Sequence, residues 1–93
     1  MAKNKITAFY LEGCPYCRQA REALKELTDE NENYSQVQIE WIEENQHPEI
    51  SEKFDYYYVP SMFIENKKFY EAHRGEKFDE CKENIKRVLE AAM

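Results

Sequence analysis

Ile6-Thr7-Ala8-Phe9-Tyr10-Leu11-Glu12-Gly13-Cys14-Pro15-Tyr16-Cys17 is the stretch that decides the fold. Its first half, Ile6 to Leu11, is β-branched and aromatic and reads as a strand. From Arg18 to Leu27 apolar residues recur at helical spacing. The Cys14-Pro15-Tyr16-Cys17 motif therefore stands where a strand gives way to a helix, and the two opening elements form a βα unit. Pro15 suits the first helical position, where its missing N–H donor is not needed and its φ is already set. Cys14 then falls at the helix N-terminus, facing unpaired backbone N–H groups and the positive end of the helix dipole. Cys17 lies one turn further in, on the face continued by Ala20, Leu24 and Leu27.

Outward from the motif, the 93 residues allow a single domain over 1–93, with a core that needs no disulfide staples. Three cysteines are an odd set for a secreted scaffold. No apolar run reaches membrane-spanning length, and Met1-Ala2-Lys3-Asn4-Lys5 leads into a strand without a signal-peptide core. The expected setting is the cytoplasm, where thiols are kept reduced, with no membrane partner. Nineteen acidic against thirteen basic residues give a net charge of -6, which argues against nucleic acid through phosphate repulsion.

Thr28-Asp29-Glu30-Asn31-Glu32-Asn33 reads as a polar break. From Tyr34 to Ile42 the alternation of Val37, Ile39 and Trp41 with Gln36, Gln38 and Glu40 predicts a half-buried strand. Pro48 opens a short helix over 49–54, with Ile50 and Phe54 on one side. Ser61 to Glu65 and Lys68 to Ala72 read as a hairpin around a turn at Asn66-Lys67. The last helix, Glu76 to Ala92, puts Phe78, Cys81, Ile85, Val88, Leu89 and Ala92 on one face. The order is βαβαββα. A right-handed crossover with parallel pairing, followed by an antiparallel hairpin, gives an α/β fold: a four-stranded mixed sheet flanked on both faces by three helices.

At this point the chain resembles the thioredoxin-fold oxidoreductases over nearly its whole length. Cys14-Pro15-Tyr16-Cys17 is similar to the motif of dithiol glutaredoxins, and Val59-Pro60 resembles the family's cis-proline site opposite the active helix. The resemblance implies a redox-active pair, Cys14 and Cys17, and a substrate site at Tyr16, Tyr58, Val59, Pro60 and Gly75. The chemistry stands beside it: a thiolate, not a thiol, attacks a disulfide sulfur, and the attacking sulfur must be reachable. Cys14 has the better claim to both, and Cys17 is placed to resolve a mixed disulfide formed at Cys14. If Pro60 is cis, the peptide groups of Val59 can pair with an extended substrate backbone. An ordinary trans proline at an edge strand is the alternative.

Departures from the family pattern leave the electron donor open. Leu11 stands where glutaredoxins often carry a lysine for a glutathione carboxylate, Tyr58 where they carry threonine, and Gly75 alone where they have a Gly-Gly pair. Arg74 or Lys77 could substitute as carboxylate partner. Beyond Pro60 the spacing is more similar to thioredoxin: Pro60-Ser61 resembles its Pro-Thr, and Gly75 falls near its substrate-loop glycine. Ala8 occupies the place of thioredoxin's buried aspartate, which can help deprotonate the resolving cysteine; Glu12 is expected to be too exposed to replace it.

The metal alternative for the thiol pair lacks ligands. Cys14, Cys17, Cys81, His47 and His73 are the candidates, and no second CxxC or HxxxH completes a tetrahedral set. No metal and no bound cofactor are expected, although some glutaredoxins bridge an iron–sulfur cluster with glutathione between two subunits. Cys81, on the apolar stripe, reads as a buried inert thiol. His47 and His73 read as surface or hydrogen-bonded residues, and Tyr56 and Tyr57 as core-and-rim aromatics. The expectation is a monomeric thiol–disulfide oxidoreductase. It would act on a protein or small-molecule disulfide and be re-reduced by glutathione as co-substrate or by a flavoprotein disulfide reductase. A non-enzymatic redox-sensing or accessory module of the same fold is the other class, and its signature, loss of a cysteine or of the proline, is missing.

Overall fold

The structure, a computed structural model, describes residues 5–93. Met1 to Asn4, used above to argue against a leader, lie outside them. The elements are β1 (Ile6–Tyr10), α1 (Pro15–Glu30), α2 (Glu32–Ser35), β2 (Ile39–Glu43), α3 (Pro48–Ser51), β3 (Ser61–Ile64), β4 (Lys67–Glu71) and α4 (Phe78–Ala92). The four strands make one sheet in the order β2-β1-β3-β4. β1 pairs parallel with β2 and antiparallel with β3, and β4 closes the hairpin. This is the mixed α/β sheet expected, with a fourth, one-turn helix added.

That extra turn corrects the second strand. Tyr34 lies in α2, not in a strand, and pairing with β1 starts only at Ile39 opposite Ile6. The cause is local. α1 runs through Thr28-Asp29-Glu30, and Asn31 then caps α2, its side chain accepting from the Asn33 N–H at 3.0 Å. Tyr34 turns its ring into the core and donates its hydroxyl to Glu90 at 2.9 Å. The hairpin turn is displaced by one residue as well. Glu65 and Asn66 hold positive φ (52° and 70°), as a tight primed turn requires, and Lys67 already belongs to β4. Two helices are shorter than expected: α3 stops at Ser51 and α4 begins at Phe78.

Alternation in the central strands divides the core. Ile6, Ala8, Met62, Ile64 and Tyr70 face α1 and α4, where Ala20, Ala23, Leu27, Ile85, Val88 and Leu89 are buried. Ala23 takes a buried place on the α1 stripe, while Leu24 only borders the core. On the opposite face Phe9, Ile42 and Phe63 pack with Ile50, Phe54, Tyr56 and Val59. Phe9 lies 4.9 Å from both the Phe54 and the Tyr56 ring and 5.8 Å from Phe63. Such pairs add about 0.5–1.5 kcal/mol each beyond burial. Among the described residues no helix is long and apolar enough to cross a membrane.

Candidate active site

The site begins where β1 ends. Leu11, Glu12 and Gly13 turn the chain, with the Cys14 N–H donating to the Leu11 carbonyl at 3.4 Å. Gly13 holds φ +79°, which a side chain would strain. Cys14 follows as the N-cap of α1, in extended conformation, and its carbonyl accepts from the Arg18 N–H at 3.1 Å. Pro15 occupies the first helical turn, as the sequence predicts. The Cys14 side chain makes no capping hydrogen bond; its sulfur instead donates across the sheet end to the Val59 carbonyl at 3.9 Å. Cys14 is half-buried and Cys17 buried.

Burial pushes the Cys17 thiol up to about 12, and the neighbouring Cys14 thiol adds to the rise. A backbone hydrogen bond from Leu11 and the positive charge of Arg21 act in the opposite direction. The pair is thus asymmetric: one sulfur at the surface, the other protonated beneath it. Cys81 is fully buried, and burial pushes its thiol up to about 11. This is the inert behaviour expected of it.

Two hollows flank the start of α1, and Cys14 lines the first of them. One, of about 350 Å³, is walled by Tyr10, Glu12, Cys14, Cys17, Arg18 and Arg21. The other, of about 260 Å³, is lined by Tyr16, Tyr58, Val59, Ala72, His73 and Arg74. The Val59-Pro60 bond is cis, and Pro60 is fully buried. Tyr16 accepts a hydrogen bond from the Gly75 N–H at 2.7 Å, which ties the active helix to the β4–α4 connection. Gly75 itself, at φ +83°, marks that bend. The structure therefore brings Cys14, Cys17, Tyr16, Tyr58, Val59, Pro60 and Gly75 to one end of the sheet. Arg74 joins the second hollow; Lys77 is the N-cap residue of α4 and does not line it. A larger hollow, about 390 Å³, lies between α1 and α4 at Tyr34 and Lys82, away from the thiols.

Sequence reasoning missed two supports of this site. Glu71, at the end of β4, accepts from the backbone N–H groups of Tyr57 and Tyr58 at 2.5 and 2.7 Å, and Lys68 donates to its other oxygen at 2.7 Å. Partial burial works against ionisation, but the Lys68 ammonium and the two N–H groups outweigh it and hold this carboxyl below its usual range. The second is Arg21, whose guanidinium lies over the rings of Tyr10 and Trp41. Both depend on contacts between distant segments, and no local pattern announces them. His73 pairs with Glu80 at 2.6 Å and His47 with Glu49 at 3.4 Å, so both histidines are surface pairs. His73, Glu76 and Glu80 also bring metal-type donor atoms within 4.8 Å of one another.

Comparison with known proteins agrees with the geometry. A family model described as a thioredoxin domain matches residues 4–72. No curated protein matches the chain. Among solved structures, thioredoxin 1 from the thermophilic eubacterium Thermosipho africanus superposes with a TM-score of 0.58 at 20% identity, covering 94% of this chain and 96% of that one. A malarial protein gives 0.62 at 10% identity, covering 91% and 96%. The zinc-bound form of human ERp44 gives 0.59 at 19% identity, covering 95% of this chain but only 28% of ERp44. At these identities the likeness is one of fold. With three quarters of its length matched by the family model, and the paired cysteines and cis-proline meeting at the end of the sheet, the chain belongs to the thioredoxin domain family.

Proposed function

We propose that the chain is a thiol–disulfide oxidoreductase of glutaredoxin/thioredoxin type, working through a Cys14/Cys17 dithiol couple. The observation that carries this reading is the asymmetry of the pair: Cys14 reachable at the helix N-cap beside Val59, Cys17 buried one turn behind it. The Cys14 thiolate attacks one sulfur of a substrate disulfide, and the other sulfur leaves as a thiolate and is protonated. Cys17 then loses its proton and attacks Cys14 Sγ. The second substrate thiol departs, and a Cys14–Cys17 disulfide remains. Two electrons have passed to the substrate. An extended substrate backbone would lie along Val59, with Tyr16, Tyr58, Pro60 and Gly75 forming its walls.

Turnover of an insulin-type disulfide tests the reading. Cys14→Ser abolishes it and Cys17→Ser stalls it at the mixed disulfide; undiminished turnover in Cys14→Ser sinks the assignment. The donor is proposed to be a flavoprotein disulfide reductase or glutathione, in the reducing cytoplasm. Arg74 is the residue available to a carboxylate in the second hollow. Supplying thioredoxin reductase in one assay and glutathione with its reductase in another separates the two. Inertness with both refutes both donors.

A further inference from the structure

A buried thiol must become a thiolate before it can resolve the mixed disulfide, and Cys17 holds its proton tightly. The chain has Ala8, a fully buried methyl, where a carboxylate on β1 could have drawn that proton away. The first hollow supplies a different device. Arg21 follows Cys17 by four residues, so the two side chains share one face of α1 and line the same space. The Arg21 guanidinium carbon sits 4.7 Å from the Tyr10 ring centroid and 4.6 Å from that of Trp41. Those two rings stand edge to face, 6.0 Å apart, and form a corner for the cation. Among the described residues no carboxylate lies within ion-pair distance of Arg21, in a chain with nineteen acidic groups. Its charge is held in place by rings and is not neutralised by a fixed anion.

We propose that Arg21 is the electrostatic stabiliser of the resolving cysteine, with Tyr10 and Trp41 as the positioning residues that hold its guanidinium at the hollow shared with Cys17. The inference rests on the dithiol reading above and names what enables its second step. In the mixed disulfide the Cys17 thiol gives its proton to water. Its thiolate attacks Cys14 Sγ, the bond between Cys14 and the substrate sulfur breaks, and the electron pair leaves with that sulfur, which is then protonated. Arg21 transfers nothing; it lowers the free energy of the anion on Cys17. The other charged or titratable groups on this hollow are Tyr10 and Glu12 from β1 and its turn, and Cys14 and Arg18 from α1. No titratable side chain from β2 or the Pro60 segment lines it. Glu12 and Arg21 are both exposed, so solvent weakens each, but two rings hold Arg21 at the hollow while Glu12 has no hydrogen bond or ion pair among the described residues to fix it there.

Reaction of the reduced protein with dithiodipyridine, an uncharged disulfide, separates the steps. The first thiopyridone is released in a bimolecular phase by Cys14 and the second in a unimolecular phase by Cys17. Arg21→Gln is expected to slow the second phase roughly three- to tenfold near neutral pH, well beyond its effect on the first, and to move the pH profile of the second phase upward. Arg21→Lys restores most of the rate, and Trp41→Leu, which keeps the charge but removes one wall, falls between them. In the wild type, high salt slows the second phase more than the first, a readout independent of whether any variant folds. Equal effects on both phases, or an unmoved profile together with salt-insensitivity, overturns the proposal. A wild type that releases no second thiopyridone, or a Cys17→Ser variant that still does, instead overturns the dithiol reading itself.

Discussion

On one face of the sheet two long helices, α1 and α4, cover a mainly aliphatic core that also takes in Tyr34 and Tyr70. On the other, a single helical turn and the segment that leads to Pro60 cover Phe9, Ile42 and Phe63. The two faces carry different halves of the site: α1 presents the cysteines, and the aromatic face supports Val59 and the cis-proline. The helical face spreads its stability over many modest contacts. The aromatic face concentrates it in one cluster of rings around Phe9. A single substitution there is expected to reach the candidate site, because Tyr56 and Val59 pack against the same cluster.

Phe9→Ala is therefore the strongest way to test the contrast. The side chain is fully buried and touches three rings, and its removal is expected to cost about 3–5 kcal/mol in a urea titration. Leu89→Ala on the helical face is expected to cost about 2–5 kcal/mol. The discriminating measurement is disulfide exchange under conditions where both variants stay folded: Phe9→Ala slows it, and Leu89→Ala leaves it near the wild-type rate. Equal slowing would show that the two faces are not distinct supports. Within the helical face Tyr70→Phe ranks next. The Tyr70 hydroxyl donates to Glu76 Oε1 at 2.5 Å, while Oε2 of this buried carboxylate has no partner among the described residues. Removing the hydroxyl leaves both oxygens without a donor, at about 1–3 kcal/mol in the same titration.

The two faces also differ in how much of them could be read from the sequence. The α1 and α4 stripes follow a helical period over many residues, so Cys17, Cys81, Ile85, Val88 and Leu89 were legible as buried. The end that carries the candidate site was legible from local signals: Cys14 and Pro15 specify a helix start, and Val59-Pro60 marks the facing turn. The region between them misled. Val37, Ile39 and Trp41 alternate as a strand should, yet one turn of helix capped by Asn31 delays the strand and spends Tyr34 on a hydrogen bond to Glu90. Glu71 and Arg21 were invisible because their roles exist only through contacts with Tyr57, Tyr58, Tyr10 and Trp41, which the fold assembles from separate segments.

The buried thiols bring a pH dependence that sharpens the comparison. Cys17 and Cys81 hold their protons to about 12 and about 11, while the unfolded chain ionises near 9. A raised folded value means that the contribution is intact below the unfolded value and is lost as pH rises towards the folded one. The reduced protein is accordingly expected to lose stability progressively above about pH 9. Cys17→Ala and Cys81→Ala each flatten that slope in denaturant titrations taken as a function of pH. A slope unchanged in both variants would mean that the loss comes from elsewhere, and that the thiols on the helical face are not differentially protonated.

The smallest expected effect lies at the rim, where His73 in the β4–α4 connection pairs with Glu80 at 2.6 Å. The carboxylate of Glu80, followed by the backbone of Arg74, raises the His73 imidazole above its usual value of 6.5. With a raised value, the pair's stabilisation is complete below the unfolded imidazole value and disappears as pH rises through the folded one. Both groups are about half exposed, so water and salt screen the attraction. Glu80→Gln should shift the His73 titration, followed by NMR, downward towards 6.5, and the stability gap to wild type should close as pH rises past the native His73 value. A gap that persisted at alkaline pH would show that Glu80 acts through something other than the charged imidazole. A shift in the second-phase rate of the thiol reaction in the same variant would extend this rim pair's influence to the hollow where Cys17 reacts. His73 lines the other hollow and not this one, so no such shift is the expected result.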